Sequence, residues 1–255
     1  MQQIFLGAGQ FQGDLARISG ADHLHLARAL RAKVGEKVVL LDGAGQAFAA
    51  TVTEIGKRET TARIDGIVET LPEPPIHITV AQALGKGDKF EQVVQHGTEA
   101  GASAFVPVRA ERSVADIPAA KIPDRLERWR QIAKGAAEQS GRSRIAEISE
   151  PLTFAQLVKQ AQKDEIPLLL LHTDGNAPSL RTVLEAGLAK APRLMIAIGP
   201  EGGWSSAEVS AALASNQRAV TLGPRILRTE TAALVAISQI LYASEGNREQ
   251  GTGNR

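Results

Sequence analysis

Cysteine is absent from this sequence of 255 residues. The chain can therefore form no disulfide, no thiolate metal site and no covalent intermediate through a cysteine nucleophile. Histidine is scarce as well: the five histidines are scattered, and none belongs to the HExxH pattern of a helical zinc site. The sequence predicts neither a structural nor a catalytic metal centre.

Charge of a single sign is missing too, because 29 basic and 28 acidic residues give a formal net charge of +1. Any binding to nucleic acid must then come from local basic patches. No apolar run reaches the roughly 18 residues of a transmembrane helix, and the first residues lack the pattern of a secretion signal. We therefore expect a cytoplasmic protein.

The glycine-rich fingerprints of nucleotide-binding sheets are also missing. The sequence contains neither GxGxxG, typical of dinucleotide-binding domains, nor the GxxxxGKS or GxxxxGKT of P-loop enzymes. The near matches GAGQFQG and GKGDKF have a different spacing. A Rossmann cofactor domain and a P-loop enzyme are therefore both disfavoured.

What is present divides into two regions of different pattern. Residues 1–72 carry short alternating segments such as AFAATVTEI, a strand EKVVLLDG with an Asp-Gly turn, and one helix over residues 20–35, which together predict a small β-barrel. A proline-rich linker, ETLPEPPIH, follows. Over residues 73–244 strands alternate with long helices, the last of them running to about Ala243, which predicts a parallel α/β sheet. We expect the polar residues 245–255 to be disordered.

Two strands of the second region end in Gly-Pro directly before a helix. The first, in LMIAIGPEGGWSSAEV, ends at Gly199 and Pro200, and the second, in VTLGPRILRTETA, ends at Gly223. The SSAE that follows the first has the form of a capping box and predicts a helix start there. Ligands of open parallel sheets bind at the carboxyl ends of strands, and glycine allows a close backbone approach. Two ordinary strand-to-helix turns would give the same pattern. Arg225 and Arg228 favour a ligand, because two arginines in a tight apolar loop are costly without an anionic or carboxylate-bearing neighbour.

These two segments closely resemble the C-terminal signature of the RsmE family, the SPOUT-class methyltransferases that methylate N3 of a uridine in 16S ribosomal RNA. Further segments match in order: HLARALRAKVGEKVVLLDG, LGKGDKFEQVVQHGTEAGASAFVPV, ERS and ERWRQIAKGAAEQSGR. The resemblance covers nearly the whole chain. The family's ELG and VLR are EAG and ALR here, which trims two apolar side chains and concerns packing rather than activity.

The resemblance implies a PUA-like β-barrel over residues 1–72 that helps to bind RNA, and a SPOUT domain over residues 73–244. In SPOUT domains the C-terminal strands and helices of a mostly parallel sheet form a deep trefoil knot. Knots are rare among proteins, so this expectation rests on the family alone. The resemblance also implies a homodimer, with the cofactor site beside the partner subunit.

The same resemblance implies that the knot's loops hold S-adenosylmethionine in a bent conformation. The loops are LLLLHTDG, IGPEGG and LGPRILR, whose main chain would curl around the cofactor while apolar side chains form the adenine slot. The cofactor-binding residues so implied are Leu171, His172, Gly199, Pro200, Gly202, Gly203, Leu222, Gly223, Ile226, Leu227 and Thr231. Core packing is the alternative for each apolar residue, and capping of the last helix is the alternative for Thr231.

The absence of cysteine bears on the chemistry, since methylation of a pyrimidine at C5 normally needs a cysteine nucleophile, and a nitrogen or oxygen target is left. N3 of uridine must lose a proton before or as it attacks the methyl group, which a base or a nearby cation would assist. The candidate catalytic residues are Arg228, Glu201 and Glu230. Glu201 would act as the base, or only cap the following helix, where it would be a poorer base. Arg228 would hold the uracil oxygens or a phosphate, or else pair with Glu230.

RNA contacts need a positive surface. The candidate RNA-binding residues, several of which lie in segments that match the family, are Arg28, Arg31, Lys86, Arg109, Arg112, Lys134, Gln139 and Arg142. A solvated helix face with pairs four residues apart is the alternative for the basic residues of the long helix, and for Arg125 and Arg130 we favour it. Trp129, in the middle of that helix, is expected in the core.

Two other functions stay open from the sequence. One is a non-catalytic RNA-binding factor for ribosome assembly that keeps the knot but not the reaction, and the other is a SPOUT methyltransferase that acts on another RNA. The intact glycines of IGPEGG and the complete LGPRILRTETA favour cofactor binding over the first alternative. The partner we expect is 16S ribosomal RNA in the small ribosomal subunit, with no membrane and no metal.

Overall fold

The computed structural model describes residues 2–173 and 176–251, which form two compact units. The first unit comprises the described residues up to Glu73 together with Ala137–Ile145, and the second comprises the rest. The division at Glu73 lies in the proline-rich linker. The return of Ala137–Ile145 to the first unit departs from the prediction, which divided these two regions only once, at the linker.

The first unit contains a six-stranded, mostly antiparallel sheet. Its strands are β1 (Gln2–Phe5), β2 (Phe11–Gln12), β3 (Leu15–Ser19), β4 (Lys37–Leu41), β5 (Ala47–Ile55) and β6 (Glu59–Val68). They pair in the order β1-β4-β5-β6-β3-β2, with β1 and β4 parallel and the other neighbours antiparallel. Among the described residues no pairing joins β1 to β2, so the strands form an open order and not the closed ring of pairs that the predicted barrel implies.

Alternation along the strands gives this sheet two apolar faces. Ala16 and Ile18 of β3 are buried between exposed neighbours, and they share one core cluster with Leu40 of β4. On the opposite face Phe5 and Leu41 are buried in a second cluster. Because side chains on a strand alternate between faces, adjacent residues of β4 enter different clusters.

The segment Ala137–Ile145 covers part of that second face. Ala137 is fully buried in the cluster of Phe5 and Leu41. Glu138 Oε1 accepts a hydrogen bond from the N–H of Phe5 at 2.9 Å. The segment therefore supplies both apolar and polar contacts to β1 of the first unit.

Two local predictions in this unit have different outcomes. The Asp-Gly turn after β4 is confirmed, since Asp42 Oδ1 accepts hydrogen bonds from two backbone N–H groups of the turn at 2.8 and 2.9 Å. The predicted helix over residues 20–35 is confirmed at its start, but its end is wrong. α1 (Gly20–Leu24) continues as a π turn over His25–Ala29 and stops there, because Arg31 adopts a left-handed conformation with a φ of 52°.

The second unit contains a seven-stranded sheet in which every pair of neighbours is parallel. The strands are β7 (His77–Ala83), β8 (Ala104–Arg109), β9 (Glu147–Ile148), β10 (Leu152–Thr153), β11 (Leu168–Leu171), β12 (Arg193–Ile198) and β13 (Arg218–Val220). Their order is β10-β8-β7-β12-β11-β13, and β9 also pairs with β8. The predicted parallel sheet is confirmed.

Helices connect these strands. They are α2 (Lys89–Glu99), α3 (Ile122–Ser140), α4 (Phe154–Lys163), α5 (Leu180–Glu185), α6 (Ser206–Ala214) and α7 (Thr229–Gly251), with short 3-10 turns at Ala119–Lys121 and Leu188–Lys190. Gly97 lets α2 pack closely, since a Cβ there would lie 2.8 Å from the ring of Phe105 in β8. Trp129 is buried against Phe90 with ring centroids 4.4 Å apart, so its predicted place in the core is confirmed.

Some predicted elements differ from those observed. The short strands β9 and β10 and the helices α4 and α5 were not predicted. α7 ends at Gly251 and not near Ala243, so residues 245–251 of the predicted disordered tail are helical, and the last four residues lie outside the described range. Within the described part of the chain, no helix combines the length and the apolar character needed to cross a membrane.

Candidate functional site

The carboxyl ends of β11, β12 and β13 lie side by side. β11 pairs in parallel with both neighbours, with Leu171 opposite Ile198 on one side and opposite Val220 on the other. The N–H of His172 donates a hydrogen bond to the carbonyl of Val220 at 2.8 Å. The loops that leave these strands therefore begin at one edge of the sheet, as predicted. The last two residues of LLLLHTDG lie outside the described residues.

Residues 199–205, here named the β12 loop, form a compact turn. The N–H of Gly203 donates to the carbonyl of Pro200 at 2.8 Å, and its φ of +68° is in the region that favours glycine. A Cβ on Gly199 would lie 3.3 Å from both the backbone nitrogen and the indole of Trp204. Trp204 is itself buried against Phe154. The loop is therefore closely packed at Gly199, whereas a Cβ on Gly203 would meet no atom within 4 Å.

The helix start predicted from SSAE is confirmed. Ser205 Oγ accepts a hydrogen bond from the N–H of Glu208 at 3.2 Å, and Glu208 Oε2 accepts one from the N–H of Ser205 at 2.8 Å. The other oxygen, Glu208 Oε1, accepts a hydrogen bond from the N–H of Glu111 at 2.9 Å. Glu208 is buried, so its carboxylate joins the start of α6 to the segment that follows β8.

Glu201 forms an ion pair across the edge of the sheet. Lys89 Nζ lies 2.6 Å from Glu201 Oε1. A hydrogen bond from Lys89 lowers the pKa of Glu201 below its ordinary value. A hydrogen bond from the backbone N–H of Glu201 and the charge of Lys86 act in the same direction. A carboxylate with a lowered pKa is a weaker base, so the geometry disfavours the predicted role of Glu201 as general base. The alternative role as a helix cap is wrong, because Ser205 caps α6.

Arg112 faces the same loop from another direction. Its Nη1 donates hydrogen bonds to the carbonyls of Gly202 at 3.1 Å and Trp204 at 3.4 Å. The side chain was predicted to contact RNA. In the structure its Nη1 serves two backbone oxygens of the β12 loop, while the residue is exposed and its RNA contact stays a prediction.

Residues 221–228, here named the β13 loop, present their side chains outward. Gly223 has a φ of +119°, and its N–H donates to Thr221 Oγ1 at 3.2 Å. Ile226 is 86% exposed, and Leu222 and Leu227 are half-buried, as is Leu171 at the end of β11. The exposure of Ile226 speaks against core packing for that residue, whereas core packing stays the alternative for the three half-buried leucines.

The last helix begins directly after this loop. The carbonyl of Arg228 accepts a hydrogen bond from the N–H of Ala232 at 2.8 Å, and α7 starts at Thr229. Thr231 thus lies inside the first turn, so its predicted capping role is wrong, and its contact with the cofactor stays a prediction. Glu230 Oε2 accepts a hydrogen bond from Thr229 Oγ1 at 3.2 Å. Among the described residues no ion pair joins Arg228 to Glu230, so the pairing alternative for Arg228 is not observed.

The other predicted RNA-binding residues are divided between the two units. In the second unit Lys86 is exposed in the turn between β7 and α2, and Lys134 is half-buried on α3. Arg109 Nε lies 3.4 Å from Asp116 Oδ1. In the first unit Arg28, Arg31 and Gln139 are exposed.

Arg142 belongs to an internal network of the first unit. Its Nε and Nη2 donate hydrogen bonds to Glu73 Oε2 at 3.0 and 2.6 Å. Glu73 Oε1 accepts two more from the N–H groups of Ser143 and Arg144, at 3.1 Å each. The side chain of Arg142 is only 10% exposed. This gives Arg142 a structural role in the linker and speaks against the predicted RNA contact.

Comparison with known proteins decides the family. A family model described as an RNA methyltransferase domain matches residues 72–241, and one described as an RNA methyltransferase PUA domain matches residues 18–65. A protein of Synechocystis named ribosomal RNA small subunit methyltransferase E is 38% identical over 216 residues, which cover 85% of this chain and 69% of that protein. The chain belongs to the RsmE family of RNA methyltransferases. The predicted PUA-like first domain is thereby confirmed.

Other RsmE proteins extend the likeness. The Bacillus subtilis protein of the same name is 33% identical over 230 residues, covering 89% of this chain and 90% of that one. A crystal structure of ribosomal RNA small subunit methyltransferase E from Neisseria gonorrhoeae, bound to S-adenosyl methionine, has a TM-score of 0.84 and 31% identity. The match covers 93% of this chain and 95% of the Neisseria gonorrhoeae chain. The likeness therefore spans both units of this RsmE chain.

Sequence reasoning missed several residues that shape this edge. Lys89 and Gly85 lie in the GKGDK segment, in which only Lys86 is predicted as a site residue. Glu208 is predicted only as part of the capping box. A signal for Lys89 was present, because two lysines flank the start of α2 in that segment. In the described part of the chain no group of three or more His, Asp and Glu is placed to hold a metal ion.

Proposed function

We propose that this chain transfers the methyl group of S-adenosylmethionine to N3 of one specific uridine in the 16S ribosomal RNA of the small subunit. The observation that carries the proposal is that the β12 and β13 loops begin at the same edge of a parallel sheet, on either side of β11. This edge belongs to a chain that is 31% identical to a relative crystallised with S-adenosyl methionine.

The residues at this edge fit the cofactor. Exposed and half-buried apolar side chains, Ile226 and Leu222 among them, offer surface for an adenine ring. Gly223 leaves room for a ligand beside the β13 loop, since a Cβ there would meet no atom within 4 Å. When bound, S-adenosylmethionine supplies an electrophilic methyl group attached to a sulfonium.

The side chains near this edge have separate tasks in the proposal. Arg228 is exposed at the end of the β13 loop, where its guanidinium can stabilise the negative charge that develops on the uracil oxygens as N3 loses its proton. Glu230 is the remaining carboxylate of the predicted pair that can accept that proton. Positioning of N3 against the methyl carbon supplies much of the rate.

The proposal also includes the location of the protein, its oligomeric state, its RNA contacts and the knot. The chain acts as a cytoplasmic homodimer, its first unit helps to bind RNA, and its C-terminal strands are knotted around the cofactor. Lys86, exposed beside the β12 loop, is the basic residue of the second unit best placed to meet a phosphate near this site.

The test is a methylation assay on small ribosomal subunits from a strain that lacks this protein. We expect radiolabel from S-adenosylmethionine to appear at one uridine, at N3. Label in transfer RNA or at another base would overturn the substrate. Calorimetry with S-adenosylmethionine separates the alternatives, since a chain without affinity for it would be an assembly factor and not an enzyme.

A further inference from the structure

The β12 loop is held from two sides by cationic side chains of neighbouring segments. On one side lies the turn between β7 and α2, and on the other lies the segment that follows β8. Lys89 reaches the loop from the first and Arg112 from the second. Neither residue belongs to the three strand-end loops in which the sequence places the cofactor.

On the first side, Lys89 binds the only acidic side chain of the loop. Its Nζ donates to Glu201 Oε1 at 2.6 Å, and the two side chains are 33% and 37% exposed. The carboxylate also lies against backbone: a Cβ on Gly85 would be 3.2 Å from Glu201 Oε1. Glycine at position 85 thus leaves the space that the carboxylate occupies.

On the second side, Arg112 binds main chain. One nitrogen, Nη1, serves the carbonyls of Gly202 and Trp204. A Cβ on Gly202 would lie 3.5 Å from Cβ of Arg112, so the side-chain stem packs on the loop as well. The bond from Glu111 N–H to Glu208 fastens the same segment to the start of α6.

We propose that Lys89 and Arg112 are positioning residues that hold the β12 loop in the shape that binds the methyl donor, with Glu201 as the anchor of the loop. The inference rests on the proposed function, because it assigns the loop to the donor site. A loop that is already ordered loses less conformational freedom when its ligand binds, so loosening it weakens donor binding. Arg112 acts here on the donor side of the reaction, in place of the RNA contact expected from the sequence.

The experiment compares Lys89→Met and Arg112→Met with Lys159→Met, which removes an exposed lysine on α4. Calorimetry gives the Kd for S-adenosylmethionine, and steady-state assays give the KM for small ribosomal subunits. We expect the Kd to rise about tenfold in the two loop variants. The KM for the RNA substrate and the thermal midpoint should stay near wild type, and Lys159→Met should match wild type throughout.

A charge exchange tests the ion pair itself. Lys89→Glu and Glu201→Lys should each weaken donor binding, and their combination should recover most of the affinity because the pair is restored with reversed signs. If Lys89→Met does not fold, the exchange and the conservative Lys89→Arg decide the question. Lys89→Arg should keep the Kd within about twofold of wild type.

Several outcomes would overturn the inference. A Kd unchanged in both loop variants would show that the loop does not depend on these cations. An unchanged Kd with a raised KM for ribosomal subunits would make them RNA contacts. If wild-type protein itself fails to bind S-adenosylmethionine, the proposed function fails, which is distinct from a failure confined to the variants.

Discussion

The β12 and β13 loops both contain the dipeptide Gly-Pro, yet they are held in different ways. The β12 loop has hydrogen bonds from Lys89 and Arg112 and an internal bond from Gly203 to Pro200. The β13 loop has a local bond between Gly223 and Thr221, and most of the side chain of Ile226 is exposed.

The two loops differ in what their side chains contact: neighbouring segments hold the β12 loop, whereas the β13 loop has side chains that face solvent. In the β12 loop the charged side chain, Glu201, already forms an ion pair with Lys89 through Oε1. In the β13 loop Ile226 and Arg228 face solvent, where a ligand can cover them. We therefore propose a chemical role for the β13 loop and a structural role for the β12 loop.

The largest expected effect is on turnover. Arg228→Ala should lower kcat by more than tenfold, equivalent to about 1.4 kcal/mol or more of transition-state stabilisation, because a cation beside the developing uracil anion is lost. Donor affinity and thermal midpoint should change little. Arg218→Ala, at the opposite end of β13, is the matched control in the methylation assay. An unchanged rate would remove Arg228 from the site.

The next effect is on donor binding. Ile226→Ala should raise the Kd for S-adenosylmethionine roughly five- to tenfold, since partial burial of an isoleucine side chain contributes about 1–1.4 kcal/mol. The control is Leu213→Ala, another exposed apolar residue, on α6. Calorimetry that gave the same Kd for both variants would mean that Ile226 is not covered by the donor.

Two glycines of the β12 loop should differ in stability. Gly199→Ala places a Cβ 3.3 Å from the backbone of Trp204, whereas Gly202→Ala meets only the flexible stem of Arg112 at 3.5 Å. We expect the first to cost about 1 kcal/mol of unfolding free energy or more, and the second less than about 0.5 kcal/mol. Urea denaturation measures both. Equal costs would show that the loop is not closely packed at Gly199.

The smallest effect concerns pH. The pKa of Glu201 lies below its ordinary value of 4.5, so the ion pair with Lys89 stabilises the fold above that value and is lost only as pH falls through the lowered pKa. Donor affinity should therefore stay constant from neutral pH down to about 4.5 as far as Glu201 is concerned. Carbon-13 NMR of the Glu201 carboxyl measures the pKa directly. A value above 4.5 would restore Glu201 as a candidate base and weaken the contrast between the loops.

The parts of the site that depend on local sequence were predictable. Gly-Pro after an apolar run indicated a strand end, and SSAE indicated the capping box at Ser205, which the structure confirms. The local signal for α4 was also present: Thr153 and Gln156 form a capping box, and Phe154, Leu157, Val158 and Ala161 have helical spacing. That helix was missed although the sequence indicated it.

The missing parts depend on pairs that are distant in sequence. Lys89 and Glu201 are 112 residues apart, and Arg142 and Glu73 are 69 apart. No periodicity or motif spacing links such pairs, since they meet only through the order of strands in the sheet or the return of a segment to another unit. For Glu201 the ion pair disfavours the predicted role as base, and we propose that it anchors the β12 loop. For Arg142 the hydrogen bonds to Glu73 speak against the predicted RNA contact and give it a structural role.

The return of Ala137–Ile145 to the first unit has a consequence for how that unit can exist. A fragment cut at Glu73 would lack Ala137 and Glu138, which removes one member of the apolar cluster around Phe5 and the acceptor for the N–H of Phe5. Such a fragment should aggregate instead of folding, so the first unit cannot be obtained by trimming the chain at its prolines. During translation the same unit stays incomplete until residue 145 of 255 has been added, well after its own strands have left the ribosome's catalytic centre.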